Sequence, residues 1–249
     1  MLRYLGRQPK NLARRVSQYN TPVLSMPLHA VVTVLLVAVL GTVAVAARRR
    51  DGAALVNGVV VVAVVLSPAA VETAATVTTG PALSVWLGVA GLLHMIGMLG
   101  IYESVWWWDH VTHTVSAALV AALCYGTLLA TTEHARVVVA VLAVALTFAG
   151  GVFWELIELV ARALGRRFDI DPVLVYYGWD DTVFDLVFDL VGALVIVALD
   201  LDLFTSLAAQ SPDAARDLLS VSAVVVVGGS LAMAAALTAL DEWPWADSG

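Results

Sequence analysis

The chain has 249 residues, of which 61% are hydrophobic and only 13% charged, and its mean hydropathy is +0.90. This composition is far too apolar for an ordinary soluble domain and argues against a secreted, cytosolic or disordered protein. The formal net charge of −7 gives the chain no electrostatic reason to bind nucleic acid, whose affinity depends on neutralised phosphates. Its one cysteine, Cys124, excludes an intramolecular disulfide.

The charged residues are strongly biased in type, with 14 Asp to 6 Glu and 12 Arg to a single Lys. Short, strongly hydrated carboxylates keep a surface soluble at high salt, so this bias is typical of a halophile-like protein. A genome of high GC content explains the bias equally well, and both interpretations stay open.

Seven runs of apolar residues are long enough to be membrane helices. A bilayer core about 30 Å thick needs roughly 20 apolar residues per helix, and the runs lack the alternation of barrel strands of about 9 to 11 residues. The sequence therefore predicts an all-α fold, a polytopic transmembrane helix bundle of about seven spans. The approximate bounds are 28–47, 53–71, 81–102, 111–130, 136–164, 182–199 and 218–240.

Two charged ends flank this predicted membrane domain, which covers residues 28–240. Residues 1–27 carry five basic side chains and predict a cap that lies on the membrane surface or is mobile, and residues 241–249 predict an acidic tail. We expect a multi-pass protein of the cell membrane whose partners are the lipid bilayer and a small-molecule or lipid substrate, and not nucleic acid.

Counting the crossings assigns the connections between spans to two sides of the membrane. With seven spans, the connections after spans 1, 3, 5 and 7 share one side, here called side A, where seven of the eight Trp residues fall. Trp is enriched at membrane–water interfaces, so side A is the more aromatic interface. Six basic residues on side A against seven on the other side give no orientation under the positive-inside rule.

Ionisable residues inside spans are costly, about 2.5 to 3.5 kcal/mol each at a helix centre, so each one calls for an explanation. Asp109 and His113 stand four apart at the start of span 4, and Glu155 and Glu158 stand three apart near the end of span 5. Both spacings place the pair on one helix face. Span 6 begins with an acidic stripe at i, i+4 and i+8, formed by Asp181, Asp185 and Asp189. All three groups belong to side A and can meet there.

A divalent metal ion would relieve the repulsion among carboxylates at one depth, and a set of imidazole and carboxylate ligands suits Zn, Mn or Fe. We therefore predict a metal site in a membrane hydrolase that acts on a lipid-type substrate, such as a lipid or an isoprenoid phosphate. The predicted metal ligands are Asp109, His113, Glu155 and Asp185. The predicted catalytic bases are Glu158 and Asp181. Roles in a pathway or around the ligands are predicted for Glu103, His94, His110 and Asp189.

Two other functions stay open at this point. In a proton- or cation-coupled transporter, the path would begin at the site and pass Asp189 toward His94. In a structural subunit, the cluster would only lock helices together, with Asp109 and His113 as a hydrogen-bonded pair and Asp181 as the N-cap of span 6. His94 taken alone is interpreted as a hydrogen-bonded interior histidine.

Other chemistries lack the residues that they need. Lys10 is the only lysine and lies outside every span, which excludes a retinal Schiff base. The sequence contains no phosphate-binding loop, so no nucleotide cofactor is expected, and it contains neither a G-x-S-x-G elbow nor an H-E-x-x-H motif.

The order of the acidic and histidine motifs is similar to that of the YjdF-like integral membrane protein family and, more distantly, of VanZ-like membrane proteins. The resemblance covers about residues 85–200. At position 189 the family's pattern leads us to expect Asn or another residue, and this chain has Asp. The resemblance implies a polytopic membrane protein and supplies no reaction. The positions that match are Asp109, His113, Glu155, Glu158, Asp181, Asp185 and Gly192.

Overall fold

A computed structural model describes residues 22–243 of the chain, without the side chains of residues 22–27. Within this range every regular element is helical, which confirms the predicted all-α class. The helix α1 begins inside the predicted N-terminal cap, and residues 1–21 and 244–249 lie outside the described part. The helices are α1 (Pro22–Arg49), α2 (Gly52–Ala74), α3 (Pro81–Ile96), α4 (Trp108–Thr131), α5 (Arg136–Phe168), α6 (Trp179–Ala198), the short α7 (Thr205–Ala208) and α8 (Pro212–Ala239).

Each of the seven predicted spans is present as a helix, and six of these are long and apolar enough to cross a membrane. The seventh, α6, has 20 residues but carries four aspartates. Two contacts show that α6 still runs beside α4 along its whole length. Asp185 near its start lies against His113, and Asp200 just beyond its end accepts a hydrogen bond from Tyr125. The helices α4 and α6 are therefore parallel and have the same depth.

The helices α5 and α8 run in the opposite direction to α4 and α6. Arg136, the first residue of α5, forms an ion pair with Asp200 beyond the end of α6. Near the start of α8, Arg216 donates to the carbonyl of Thr131 at the end of α4. The far end of α8 packs Leu237 among residues of the second half of α5. The starts of α4 and α6 therefore share one side with the ends of α5 and α8, as the counting of crossings requires.

The helices form two packed groups. In the first, α1, α2 and α3 surround a small core that includes Val39, Val65 and Met95. In the second, α4 to α8 pack together around a larger core that includes Tyr125 and Ile196. The groups meet where α3 contacts α4. This junction places the end of α3 beside the acidic starts of α4 and α6.

The end of α3 is distorted. Beyond Ile96 the chain makes a π-helical turn over Gly97–Ile101 and a single α turn over Tyr102–Ser104. Gly100 adopts a φ of 114°, a conformation that glycine tolerates and other residues rarely adopt. Gly97 leaves room for the ring of Tyr102, since a Cβ at position 97 would lie 2.2 Å from that ring. The distortion folds Tyr102 back toward His94.

Candidate metal and substrate site

His113 is the centre of the polar cluster, and its own helix supplies one carboxylate. One turn of α4 separates Asp109 from His113, so both side chains project from the same face. The Nε2 atom of His113 lies 3.7 Å from Asp109 Oδ1. The imidazole is largely buried, with 14% of its side chain exposed.

Two aspartates of α6 reach opposite sides of the same imidazole. Asp185 Oδ1 lies 3.8 Å from Nε2, and Asp189 Oδ1 lies 3.1 Å from Nδ1, within hydrogen-bond distance. This approach depends on Gly192, one turn further along α6, because a Cβ there would lie 2.4 Å from the carbonyl oxygen of Thr114. The predicted stripe of aspartates on α6 thus faces His113.

Asp109, His113 and Asp185 together have the geometry of a metal-ligand set. One ligand atom from each residue lies within 4.8 Å of the other two. Atoms bound at about 2.0 to 2.2 Å to one tetrahedral ion lie about 3.3 to 3.6 Å apart, so small side-chain shifts would bring the three onto an ion. Asp185 is 2% exposed, and its Oδ1 is buried without a hydrogen-bond partner among the described residues. An unsatisfied buried carboxylate oxygen is costly and calls for a cation or a proton.

The two glutamates of α5 have different surroundings. Glu155 is 4% exposed, and both of its carboxylate oxygens lack hydrogen-bond partners within the described part of the chain. It does not belong to the set of three ligand atoms, although it was predicted as a ligand. Glu158 accepts a hydrogen bond of 2.9 Å from the indole of Trp154 one turn earlier and lines the cavity described below.

Asp181 lies in the first turn of α6 and lines the same cavity as Glu158. The alternative role as an N-cap is wrong for Asp181, since Gly178 holds the N-cap position and no side chain caps the helix there. Gly178 has a φ of 130°, which turns the chain into α6 and leaves the aspartates inside the helix. Asp181 is therefore available to act in the cavity.

His94 and Glu103, both near the end of α3, have partners of their own. His94 makes ring-nitrogen hydrogen bonds of 3.1 Å to the hydroxyl of Tyr102 and 3.2 Å to the side-chain oxygen of Asn57. Its interpretation as a hydrogen-bonded interior histidine agrees with this geometry, and its ring also lines the cavity. Glu103 accepts a hydrogen bond of 2.9 Å from Tyr177 at the edge of the site.

His110 turns away from the ligand set. Its ring stacks on Phe188 with a centroid distance of 4.3 Å and an interplanar angle of 10°, and it also contacts Phe184. These two phenylalanines form the apolar stripe of α6 beside the acidic one. The position of His110 at i+1 from Asp109 explains the difference, because adjacent residues on a helix point in different directions.

The loop between α5 and α6, residues 169–178, covers the site at side A. Leu174 and Tyr177 from this loop line the cavity. Asn57 on α2 donates a hydrogen bond of 2.7 Å to the carbonyl of Val173, and Tyr177 donates to Glu103. Burial and the neighbouring carboxylate of Glu103 raise the pKa of Tyr177, which keeps the phenol protonated as a donor. The loop is thus fastened to α2 and α3.

Sequence reasoning did not identify Asn57, Tyr177 or Trp154 as parts of this site. Asn57 carries a usable signal, since it is an amide within the apolar run of span 2, and such a residue needs a partner inside the bundle. Tyr177 and Trp154 give no such signal, because aromatic residues are common at both interfaces of membrane proteins.

A cavity of about 390 Å³ adjoins the ligand set between the two groups of helices. Its polar end is lined by Asp109, His113, Glu158, Asp181 and Asp189. The rest of its wall comes chiefly from aliphatic and small residues of α2, α3, α4 and α5. The volume lies within the range of about 300 to 1,000 Å³ that is typical of small-molecule sites.

Comparison with protein families identifies the class of the chain. The sequence model of a family described as predicted membrane protein (DUF2238) matches residues 28–205, and the chain belongs to this family. No curated protein and no solved structure matches the chain. Together with the six apolar helices, the family match confirms a multi-pass membrane protein.

Proposed function

We propose that this member of the DUF2238 family is a cell-membrane protein that binds one divalent metal ion, Zn, Mn or Fe, and hydrolyses a lipid-type substrate in the adjoining cavity. The ligands are Asp109 and His113 of α4 and Asp185 of α6. The observation that supports the proposal most is the hydrogen bond of 3.1 Å between His113 Nδ1 and Asp189. Metal-bound histidines commonly donate their second ring nitrogen to a carboxylate, which fixes the ring and its tautomer.

The ring of His113 has the orientation that this role requires. When Nδ1 donates to Asp189, the lone pair of Nε2 is directed to the side where Asp109 and Asp185 lie, 3.7 and 3.8 Å away. One divalent ion among these three groups would balance their charge and satisfy the buried Oδ1 of Asp185.

A bound divalent ion would supply a hydroxide nucleophile at neutral pH by lowering the pKa of its water. The chain's own carboxylates would do the remaining work. Glu158 and Asp181 line the cavity and are the candidates that accept a proton there. The indole of Trp154 holds Glu158 in place through its hydrogen bond. Glu155, whose buried oxygens have no hydrogen-bond partner among the described residues, remains the predicted additional ligand.

The YjdF-like resemblance supports the same group of residues. It covers about residues 85–200, which lie within the segment 28–205 matched by the family model, and we take both to describe one family. The matching positions include Asp109, His113, Asp185 and Gly192, which are the proposed ligands and the glycine that lets α6 approach α4.

The test is the metal content of detergent-purified, dialysed protein, measured by elemental mass spectrometry. About one equivalent of Zn, Mn or Fe is expected in the wild type and in the control Asp180→Asn, which changes an exposed aspartate of the same helix. His113→Ala and Asp185→Asn are expected to lose it. A metal-free wild type after loading with each ion, or unchanged metal content in both variants, would overturn the proposed site.

Turnover is tested on the metal-loaded protein with a panel of ester lipids and isoprenoid phosphates. The double variant Glu158→Gln and Asp181→Asn is expected to keep the metal but to form no hydrolysis product. Metal binding without hydrolysis of any substrate would overturn the enzymatic part alone, and proton uptake assays in liposomes would then test transport.

A further inference from the structure

The cavity beside the ligand set has two unlike ends. Carboxylates and His113 occupy one end, and the other is lined by aliphatic side chains of α2, α3 and α4 that include Val61, Leu87 and Ala90. A molecule that fills this space must carry a polar group that lies at the acidic end of the cavity and an apolar body that lies at the aliphatic end. Such amphiphilic molecules reside in the bilayer around the protein.

The apolar end opens to the surroundings of the bundle and not only to side A. Val60 and Val64 on α2 and Val120 on α4 line the cavity, although they are 56%, 42% and 41% exposed. On membrane-spanning helices, exposed valines in the middle of the span face the acyl chains. The side of the cavity between α2 and α4 is therefore accessible from the hydrocarbon core.

The polar end has a distinctive charge. Among the described residues that line the cavity there is no Lys or Arg, whereas there are four carboxylates, those of Asp109, Glu158, Asp181 and Asp189. A single divalent ion offsets only part of this negative charge. An anionic phosphate head group would add to this negative charge, and the described wall of the cavity offers no Lys or Arg side chain to bind it. An uncharged oxygen of an ester or an alcohol adds no such charge.

We infer that the cavity takes an uncharged amphiphile, an ester or alcohol on one aliphatic chain, which enters sideways from the bilayer between α2 and α4 and places its polar head at the acidic end. This inference rests on the proposed function, in which the bound molecule is hydrolysed, and it narrows the class of lipid-type substrate. Phosphate-headed isoprenoids are thereby disfavoured as substrates.

The test uses the full chain in lipid nanodiscs and a monoacylglycerol with a diazirine in mid-chain as probe. After irradiation, labelled peptides are mapped by tandem mass spectrometry. Labelling is expected at the residues of α3 and α4 that line the cavity, namely Leu87, Ala90, Gly91, Ser116, Ala117 and Val120. A tenfold excess of unlabelled monoacylglycerol should reduce this labelling several-fold, whereas an alkyl phosphate of the same chain length should not.

Two tryptophan variants locate the entrance. Val60→Trp should reduce labelling several-fold by blocking the opening. Val59→Trp changes the adjacent residue, which is 65% exposed and does not line the cavity, and should leave labelling unchanged. Both substitutions lie on an exposed surface of α2, and matched circular dichroism spectra and thermal unfolding of the two proteins check that they fold alike.

Competition by the alkyl phosphate equal to that by monoacylglycerol would overturn the inferred head group. If Val60→Trp and Val59→Trp change the labelling equally, the lateral entrance is overturned. If the label is spread evenly over lipid-facing residues, the binding site itself is overturned. Metal content is measured on the same samples. Metal without cavity labelling overturns only this inference, and cavity labelling without metal overturns only the proposed function.

Discussion

Gly192 lies where α6 packs against the backbone of α4, and one added methyl group there tests the helix contact that assembles the site. A Cβ at this position would lie 2.4 Å from the carbonyl oxygen of Thr114 and 2.9 Å from the nitrogen of Ala118. Both neighbours are backbone atoms, so no side chain can rotate away and the helices must separate by about 1 Å to reach an ordinary contact of 3.4 Å. Overpacking of this kind costs about 1 to 3 kcal/mol.

For a chain of this length, that cost lowers the unfolding midpoint of Gly192→Ala by roughly 2 to 12 °C. Thermal unfolding followed by circular dichroism in one detergent measures the change. The control is Gly228→Ala on α8, because a Cβ there meets nothing within 4 Å. The control should match the wild type or exceed it slightly, since alanine favours helix over glycine. Equal midpoints for the two variants would refute the close approach of α4 and α6.

Gly151→Ala is expected to weaken metal binding about 10- to 100-fold, because a Cβ there would lie 2.2 Å from Asp189 Oδ2 and displace that carboxylate. The control is Gly150→Ala, because a Cβ at position 150 meets no described atom within 4 Å. Equal metal affinities of the two variants would contradict a role of Gly151 in positioning Asp189. The hydrogen bond from Tyr125 holds the pKa of Asp200 below its usual value. This carboxylate therefore stabilises the fold above its unfolded pKa of about 4 and loses that effect as pH falls through the folded pKa. Acid unfolding of Asp200→Asn should lack this dependence, and a profile like that of the wild type would argue against it.

The helical placement of the site could be predicted because it follows from periodicity and parity. Asp109 and His113 share a face since they stand four apart, and the stripe of Asp185 and Asp189 repeats on the same interval. Counting crossings then put the starts of α4 and α6 at one side, where the structure brings Asp185 to 3.8 Å from His113. The run 182–199 is recognised by its apolar residues, although the aspartates of α6 keep this helix out of the six that are apolar and uncharged enough to cross a membrane.

The arrangement of side chains within the site could not be predicted, because it depends on the packing of individual side chains and on segments of non-helical backbone. Periodicity placed Glu155 with the ligands, yet its carboxylate is not among the three ligand atoms that lie within 4.8 Å of one another. The turn at Gly100, which brings Tyr102 to His94, depends on one positive φ that residue spacing does not predict. The loop that holds Tyr177 over the cavity is fixed by contacts to α2 and α3, which are remote in sequence.

The proposed metal site consists of His113 and two aspartates around one divalent ion. X-ray absorption spectroscopy on the metal-loaded protein tests it most directly, because it reports the type and distance of the ligand atoms. In the wild type we expect one imidazole nitrogen at about 2.0 to 2.1 Å and carboxylate oxygens at about 2.0 to 2.2 Å from the ion, and in His113→Ala we expect no bound metal after dialysis. A wild-type spectrum without an imidazole ligand, or bound metal with the same spectrum in His113→Ala, would contradict the proposed site.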